Sequence, residues 1–255
     1  MKLRVISFNI RCSNDPNGHS VAERAPRLAE ITARYAPDVI CFQEYRPRWE
    51  EHIEKYYSDT FDMFVKYRNE TVDIEASPIL WRKDKFECLR TGWFWLSDTP
   101  EVESRGWDEK YNCYRMCVYC VLKEKETGTV FTVMNTHFGF GDDGQVKSVK
   151  LIDHYRKSVS GYPTFLTGDF NMTPESAGYR EMTKRLRDVN ACTEKNYSTT
   201  YHNYQPEAVT DMHIDYCFVD EAVTPISRVL ITDTIDGKFP SDHYGIFMEL
   251  EVSPL

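Results

Sequence analysis

The sequence predicts an α/β sandwich: short β-like runs recur along the whole chain, capped or amphipathic helical segments interrupt them, and nothing separates two units. There is no internal repeat, low-complexity tract or linker. At 255 residues and 41% hydrophobic content the chain can build one large core, so a single domain over 1–255 is expected.

The first β-like run covers 3–8. A helix is expected over 21–35, where Ser20 and Glu23 make a capping-box pair, Leu28, Ile31 and Tyr35 share one face, and Pro37 stops it. Runs rich in β-branched and aromatic residues follow at 39–42, 61–67 and 79–81, with a helix expected at 48–56. Residues 113–123 and 130–136 read as strands, and Glu126-Thr127-Gly128 between them reads as a hairpin turn. A helix at 145–158 precedes a run at 164–166, and a helix at 176–186 precedes runs at 214–219, 228–231 and 244–252. Trp93-Phe94-Trp95-Leu96-Ser97 is read as core, because aromatics at alternate strand positions pack; the polar loop 107–111 after it is a candidate substrate contact.

Against 31 basic residues stand 40 acidic ones, a formal charge of -9. This opposes the broad positive field that non-specific duplex binding needs, so duplex DNA is disfavoured as a partner. No protein partner is indicated. The eight cysteines sit mostly in apolar runs, which fits reduced thiols; Cys117 and Cys120, three apart on a strand, point to opposite faces and make no zinc half-site. The N-terminus enters its first run without room for a signal core, and no apolar run is long enough to span a membrane. A cytoplasmic protein is expected, or a secreted one if a leader has been removed. The sequons at Asn69, Asn171 and Asn196 are read as chance tripeptides. His19, His52, His154, His202 and His213 are read as surface or packing groups.

Six apolar runs end in polar groups of catalytic type: Asn9, Gln43-Glu44, His137, Asp169-Phe170-Asn171, Asp215 and Asp242-His243. One such ending is usually a cap or turn. Six describe one cleft, because layered folds bind ligands where loops from several strands converge.

In order and spacing, Ser7-Phe8-Asn9-Ile10, Gln43-Glu44, Asn135-Thr136-His137, Gly168-Asp169-Phe170-Asn171, Ile214-Asp215-Tyr216 and Ser241-Asp242-His243 resemble the endonuclease/exonuclease/phosphatase superfamily. The resemblance covers nearly the whole chain. It implies a deoxyribonuclease I-like four-layer sandwich of two packed mixed β-sheets flanked by helices, and Mg²⁺- or Mn²⁺-dependent attack of water on phosphorus. On this resemblance Glu44, Asn9 and Asp242 are the expected metal shell, with Asn9 also at the phosphate. Asn171 would donate to a non-bridging oxygen, and Asp169 would activate or orient the water. Asp215 would hold the tautomer of His243, which contacts phosphate; Asp169 and His243 remain interchangeable as general base. His137 is a candidate phosphate contact or general acid, and Arg115 a candidate phosphate clamp.

Two departures lie near the expected substrate. Gly139 stands where many relatives carry Asp, and Glu109-Lys110-Tyr111 follows Ser104-Arg105-Gly106-Trp107-Asp108 in place of small residues. The leading expectation is hydrolysis of a small phosphorylated molecule, such as a sugar, nucleotide or lipid-headgroup phosphoester. The alternatives are a nuclease for single-stranded or terminal nucleotides and, third, a non-catalytic binding module.

Overall fold

The computed structural model describes residues 1–159, 161–193 and 197–253, so the sequon residue Asn196 lies outside the described residues. From the N-terminus, β1 (Lys2–Asn9) leads through α1 (Val21–Arg34), β2 (Val39–Gln43), α2 (Glu50–Tyr57) and β3 (Phe61–Phe64) to β4 (Ile79–Arg82). Then come β5 (Phe86–Trp95), β6 (Met116–Glu124), β7 (Val130–His137), α3 (Asp142–Val159) and β8 (Thr164–Asp169). The remainder comprises α4 (Ala177–Met182), β9 (Arg187–Asp188), α5 (Val189–Cys192), β10 (Asp215–Val219), β11 (Val223–Ile231) and β12 (Gly245–Val252).

The local signals explain most of these elements. Ser20 and Glu23 form the reciprocal capping box of α1, satisfying amide groups that the first turn leaves unpaired. The β6–β7 hairpin pairs Lys123 with Val130, and Gly128 supplies the left-handed backbone (φ 75°) that its turn requires.

The strands form two mixed six-stranded sheets, ordered β11-β12-β1-β2-β4-β3 and β5-β6-β7-β8-β10-β9. Side-chain alternation along each strand then dictates the layers. Val5, Val39, Cys41 and Ile79 of the first sheet meet Val118, Cys120, Leu122, Phe131 and Phe165 of the second in one buried inner core. The outward set Ile6, Phe8, Ile40 and Phe42 packs under Leu28 and Ile31 of α1 and Ile53 and Tyr57 of α2. Cys117, Met134, Leu166 and Phe218 pack under Val149 and Ile152 of α3 and Met182 of α4. The result is the four-layer sandwich expected from the sequence. Cys117 and Cys120 face opposite sides of β6, and all eight cysteines are free thiols. Among the described residues no helix is long and apolar enough to cross a membrane.

The two sheets are also joined by a polar tie. Asn135 Nδ2 donates to the carbonyls of Phe42 (2.8 Å), Ser77 (3.1 Å) and Pro78 (3.0 Å), and its Oδ1 accepts from Gln43 Nε2 at 2.8 Å. A buried amide with partners at both ends fixes how the sheets sit against each other directly beneath the polar strand ends.

Several boundaries differ from the sequence expectation. β3 stops at Phe64 rather than 67, α4 stops at Met182 rather than 186, and β11 begins at Val223 rather than 228. β9, α5 and the part of β5 ahead of Trp93 were not expected. Within 93–97, Phe94 and Trp95 are buried as expected, whereas Trp93 is 41% exposed.

His202 is fully buried against the rings of Tyr244 (4.2 Å) and Phe239 (4.5 Å), and neither ring nitrogen has a hydrogen-bond partner. Burial lowers its pKa from 6.5 to about 4. The folded state therefore binds fewer protons than the unfolded chain between these values, so this contribution is full above pH 6.5 and is lost as pH falls towards 4. Between pH 7 and pH 5 that amounts to about 2 kcal/mol. Urea unfolding of His202→Phe at both pH values should show a pH-dependent loss smaller by about that amount than in the wild type. Identical losses in the two proteins would mean that another group sets the acid limit.

Candidate active site

Strand direction decides which residues share the site. β1 and β2 run parallel with Asn9 opposite Gln43, and β7 and β8 run parallel with His137 opposite Asp169. These residues, with Glu44 one position further on, stand at C-terminal strand ends. Asp215 and Asp242-His243 reach the same rim by the opposite route, which corrects the sequence reading of them as run endings. Asp215 opens β10, antiparallel to β8 and paired with Asp169; Asp242 and His243 precede β12, antiparallel to β1. Strands that run the other way begin where their neighbours end, so both sets meet at one edge of the sandwich.

The floor of the site is a group of buried and half-buried carboxylates held by donors. Asn9, fully buried, donates Nδ2 to Asp169 Oδ2 (2.9 Å) and Glu44 Oε1 (3.1 Å), while its Oδ1 accepts from the Arg11 amide (3.0 Å). One amide thus bridges the two sheets' acids. Glu44 Oε2 accepts from the Cys12 amide at 2.8 Å, and Glu44 has a left-handed backbone (φ 61°), unusual for a residue with a Cβ. Burial raises the pKa of Glu44, as does the Glu75 charge, but His137 and the Cys12 amide outweigh them and the net shift is downward. Asp169 and Asp242 are raised, chiefly by burial, with Asp215 adding to Asp169 and Glu44 to Asp242.

Two imidazoles flank this floor. His243 Nδ1 lies 2.9 Å from Asp215 Oδ2, and its Nε2 faces Asp169 at 3.8 Å. Burial disfavours the imidazolium, yet the Asp215 carboxylate, helped by Asp169 and Asp242, pushes its pKa up to about 10. His137 Nε2 lies 3.5 Å from Asp169, and its Nδ1 lies 3.5 Å from Glu75 Oε1. Glu75 is a site residue that the sequence reading missed. It is buried, and despite that burial its carboxyl is held well below the usual range by Arg68 and His137. It stands in a loop ahead of β4, which is antiparallel to β2, so the available signal was a polar residue before a strand.

Asn171 accepts nothing from the floor. Its backbone amide donates to Asp169 Oδ1 (3.0 Å) and its Nδ2 to the Phe138 carbonyl (2.9 Å), which leaves one amide hydrogen for a ligand. Arg115, also buried, forks onto Asp108 Oδ2 through Nε (2.9 Å) and Nη2 (2.8 Å). Arg24 was missed as well: from α1 its buried guanidinium donates to the carbonyls of Ile10, Arg11, Ser13 and His19, tying down the loop that presents the Cys12 amide to Glu44. A fully buried charge on a helix face was the sign that sequence periodicity does not reveal.

These groups line one cleft of about 710 Å³, which holds Glu44, Glu75, Arg115, His137, Asp169, Asn171, Asp242 and His243 together. Asp169, Asp215 and His243 place potential ligand atoms within 4.8 Å of one another, a buried group that can hold a metal ion. The wider donor set suits a hard cation better: Glu44, Asp169 and Asp242 supply carboxylate oxygens, whereas His243 Nδ1 is already engaged by Asp215. Burial, and next to it the neighbouring carboxylates, disfavour the charged forms of Asp169 and Asp242, a cost that a bound cation would offset.

The fold has close relatives of known structure. An endonuclease/exonuclease/phosphatase family protein from Bacteroides thetaiotaomicron superposes with a TM-score of 0.91 at 28% identity, covering 98% of this chain and 97% of that one. A mannosyl-6-phosphatase from the same organism superposes with a TM-score of 0.88 at 28% identity, covering 98% and 99%. Among curated proteins, an uncharacterised protein of Acanthamoeba polyphaga mimivirus is 27% identical over 184 residues, 66% of this chain and 67% of that protein. The model of the endonuclease/exonuclease/phosphatase family, whose members hydrolyse phosphoester bonds, matches residues 6–243, and the chain belongs to that family.

Proposed function

We propose that the chain is a Mg²⁺- or Mn²⁺-dependent phosphoester hydrolase acting on a small phosphorylated molecule. The observation that carries this reading is the convergence of half-buried Glu44 with buried Asp169, Asp242, His137 and His243 at the floor of one cleft. Its volume lies within the range of about 300–1,000 Å³ typical of small-molecule sites. The likeness to a mannosyl-6-phosphatase supports a sugar phosphate within the substrate class.

Glu44 and Asp242 would hold the cation, which supplies Lewis-acid stabilisation of charge on the phosphoryl oxygens. Asn9 is assigned to positioning, because its amide donates to both Glu44 and Asp169. Asp169 is the better placed group to orient the attacking water and take its proton. His243, with Nδ1 on Asp215, presents Nε2 to the cleft as a charged donor to a phosphate oxygen. His137, backed by Glu75, would protonate the leaving oxygen, and the spare hydrogen of Asn171 would reach a non-bridging oxygen. Arg115 would contact phosphate with whatever donors Asp108 leaves free.

A panel of sugar, nucleotide and lipid-headgroup phosphoesters and short oligonucleotides, assayed with Mg²⁺ and with chelator, tests the reading. Metal-dependent turnover of small esters is expected; turnover confined to oligonucleotides would move the protein to the nuclease class. For random duplex DNA the net charge of -9 predicts a Kd at physiological salt no tighter than about 10⁻⁴ M. Micromolar, salt-sensitive binding would contradict it.

A further inference from the structure

We propose that Arg105 and Lys110 form a subsite for a second anionic group, phosphate or carboxylate, on the same small substrate. The inference rests on the phosphohydrolase reading for the position of the first phosphate. Six arginine and lysine side chains line the cleft: Arg11, Arg46, Arg68, Arg105, Lys110 and Arg115. Four of them are matched. Arg11 pairs with Asp15 at 3.0 Å and lies 3.5 Å from Asp242. Arg46 and Arg68 pair with Glu75 at 3.3 and 2.9 Å, and Arg115 with Asp108 at 2.8 Å. Among the described residues Arg105 and Lys110 have no carboxylate partner. Arg105 donates one Nη1 bond to the Asn112 carbonyl and lies over the Tyr114 ring at 4.9 Å. Lys110 Nζ sits over the rings of Phe140 (4.6 Å) and Tyr111 (4.9 Å), so its charge is held at the cleft wall by aromatic faces.

The segment that presents these two charges is fixed in place. Asp108 Oδ1 accepts the amides of Lys110 (3.1 Å) and Tyr111 (3.0 Å), while its Oδ2 holds Arg115. Glu109 donates its amide to the Phe140 carbonyl at 3.0 Å, docking the segment on the loop after β7. That docking needs a glycine: a Cβ at Gly139 would lie 2.8 Å from Asp108 Cβ and 2.9 Å from the Trp107 carbonyl oxygen. The two departures noted in the sequence, Gly139 and Glu109-Lys110-Tyr111, are thus one device. The first removes a side chain so that the second can build a cationic wall over the cleft. A preorganised guanidinium and ammonium beside a phosphate site favour a ligand with a second negative group, because both anions are then matched without moving the loop.

Calorimetric titration of the Mg²⁺-loaded protein with glucose 6-phosphate, glucose 1,6-bisphosphate and 6-phosphogluconate tests this. At least one of the two doubly anionic ligands should bind about tenfold tighter than glucose 6-phosphate, equivalent to about 1.4 kcal/mol. Which of the two it is distinguishes phosphate from carboxylate. Arg105→Ala with Lys110→Ala should erase the preference and change glucose 6-phosphate affinity less than about twofold, and Arg105→Lys with Lys110→Arg should largely keep it. Equal affinities in the wild type, parallel losses for all ligands, or no measurable binding of any of them would overturn the subsite. Hydrolysis of p-nitrophenyl phosphate, measured separately, judges the hydrolase reading. Preference without hydrolysis would preserve the subsite and remove that reading, and hydrolysis without preference would do the reverse.

Discussion

Glu44→Gln is expected to lower kcat/KM by about 10³-fold or more, a loss of about 4 kcal/mol in transition-state stabilisation, and to weaken Mg²⁺ binding in direct titration. The substitution keeps the side-chain length but removes two things at once. It takes a charge from a carboxylate group that a hard cation favours. It also replaces one acceptor oxygen by a donor, although both oxygens of Glu44 now accept, one from the Cys12 amide and one from Asn9 Nδ2. Whichever way the new amide turns, its NH₂ meets another donor. The wild type treated with chelator should lose activity to a similar extent and regain it with Mg²⁺ or Mn²⁺, and zinc should serve less well. Turnover that persists in chelator, or a Glu44→Gln protein as active as the wild type, would remove the metal from the proposed reaction.

The acidic half of this site was legible in the sequence because strand ends carry a sharp local contrast: an apolar run stops and a polar residue follows. Asn9, Glu44, His137 and Asp169 show that contrast: Asn9 is paired with Gln43, the residue before Glu44, in one sheet, and His137 with Asp169 in the other. Glu75 does not, since the loop before β4 has no run leading into it, and Arg24 lies in a helix whose periodicity treats it as an ordinary polar position. The fold followed the same logic. β5 escaped notice because Cys-Leu-Arg-Thr-Gly interrupts its alternation and its pairing with β6 slips between Cys88 and Arg90. The first half of β11 was hidden by Pro225 and by the irregularity between Pro225 and Ser227. What a bulge or an antiparallel entry changes is phase, and phase is what a one-dimensional pattern reads.

Asp215→Asn and His243→Ala should each depress kcat by about 10³-fold or more, with smaller changes in KM, and the double variant should cost little beyond the worse single one. The geometry makes the two residues one unit. Asp215 Oδ2 lies 2.9 Å from Nδ1, which leaves Nε2 as the ring's only outlet towards Asp169 and the cleft. An Asn at 215 removes the charge and, if it presents its NH₂, forces Nδ1 to accept, reversing the tautomer. It also removes the chief support for the imidazolium: burial alone would lower the pKa of His243, and the Asp215 carboxylate is the largest contribution raising it. A neutral ring in a buried site cannot offset charge on a phosphate, so the loss falls on the transition state more than on ground-state binding. Once His243 is absent Asp215 has no ring to orient, and its further removal has little left to take. Circular dichroism should show both singles and the double folded, since the inner core beneath the pair is unchanged. Multiplicative losses in folded proteins would mean that the two act independently, and Asp215 would then need a role of its own, with Asp169 beside it in the sheet as the first candidate partner.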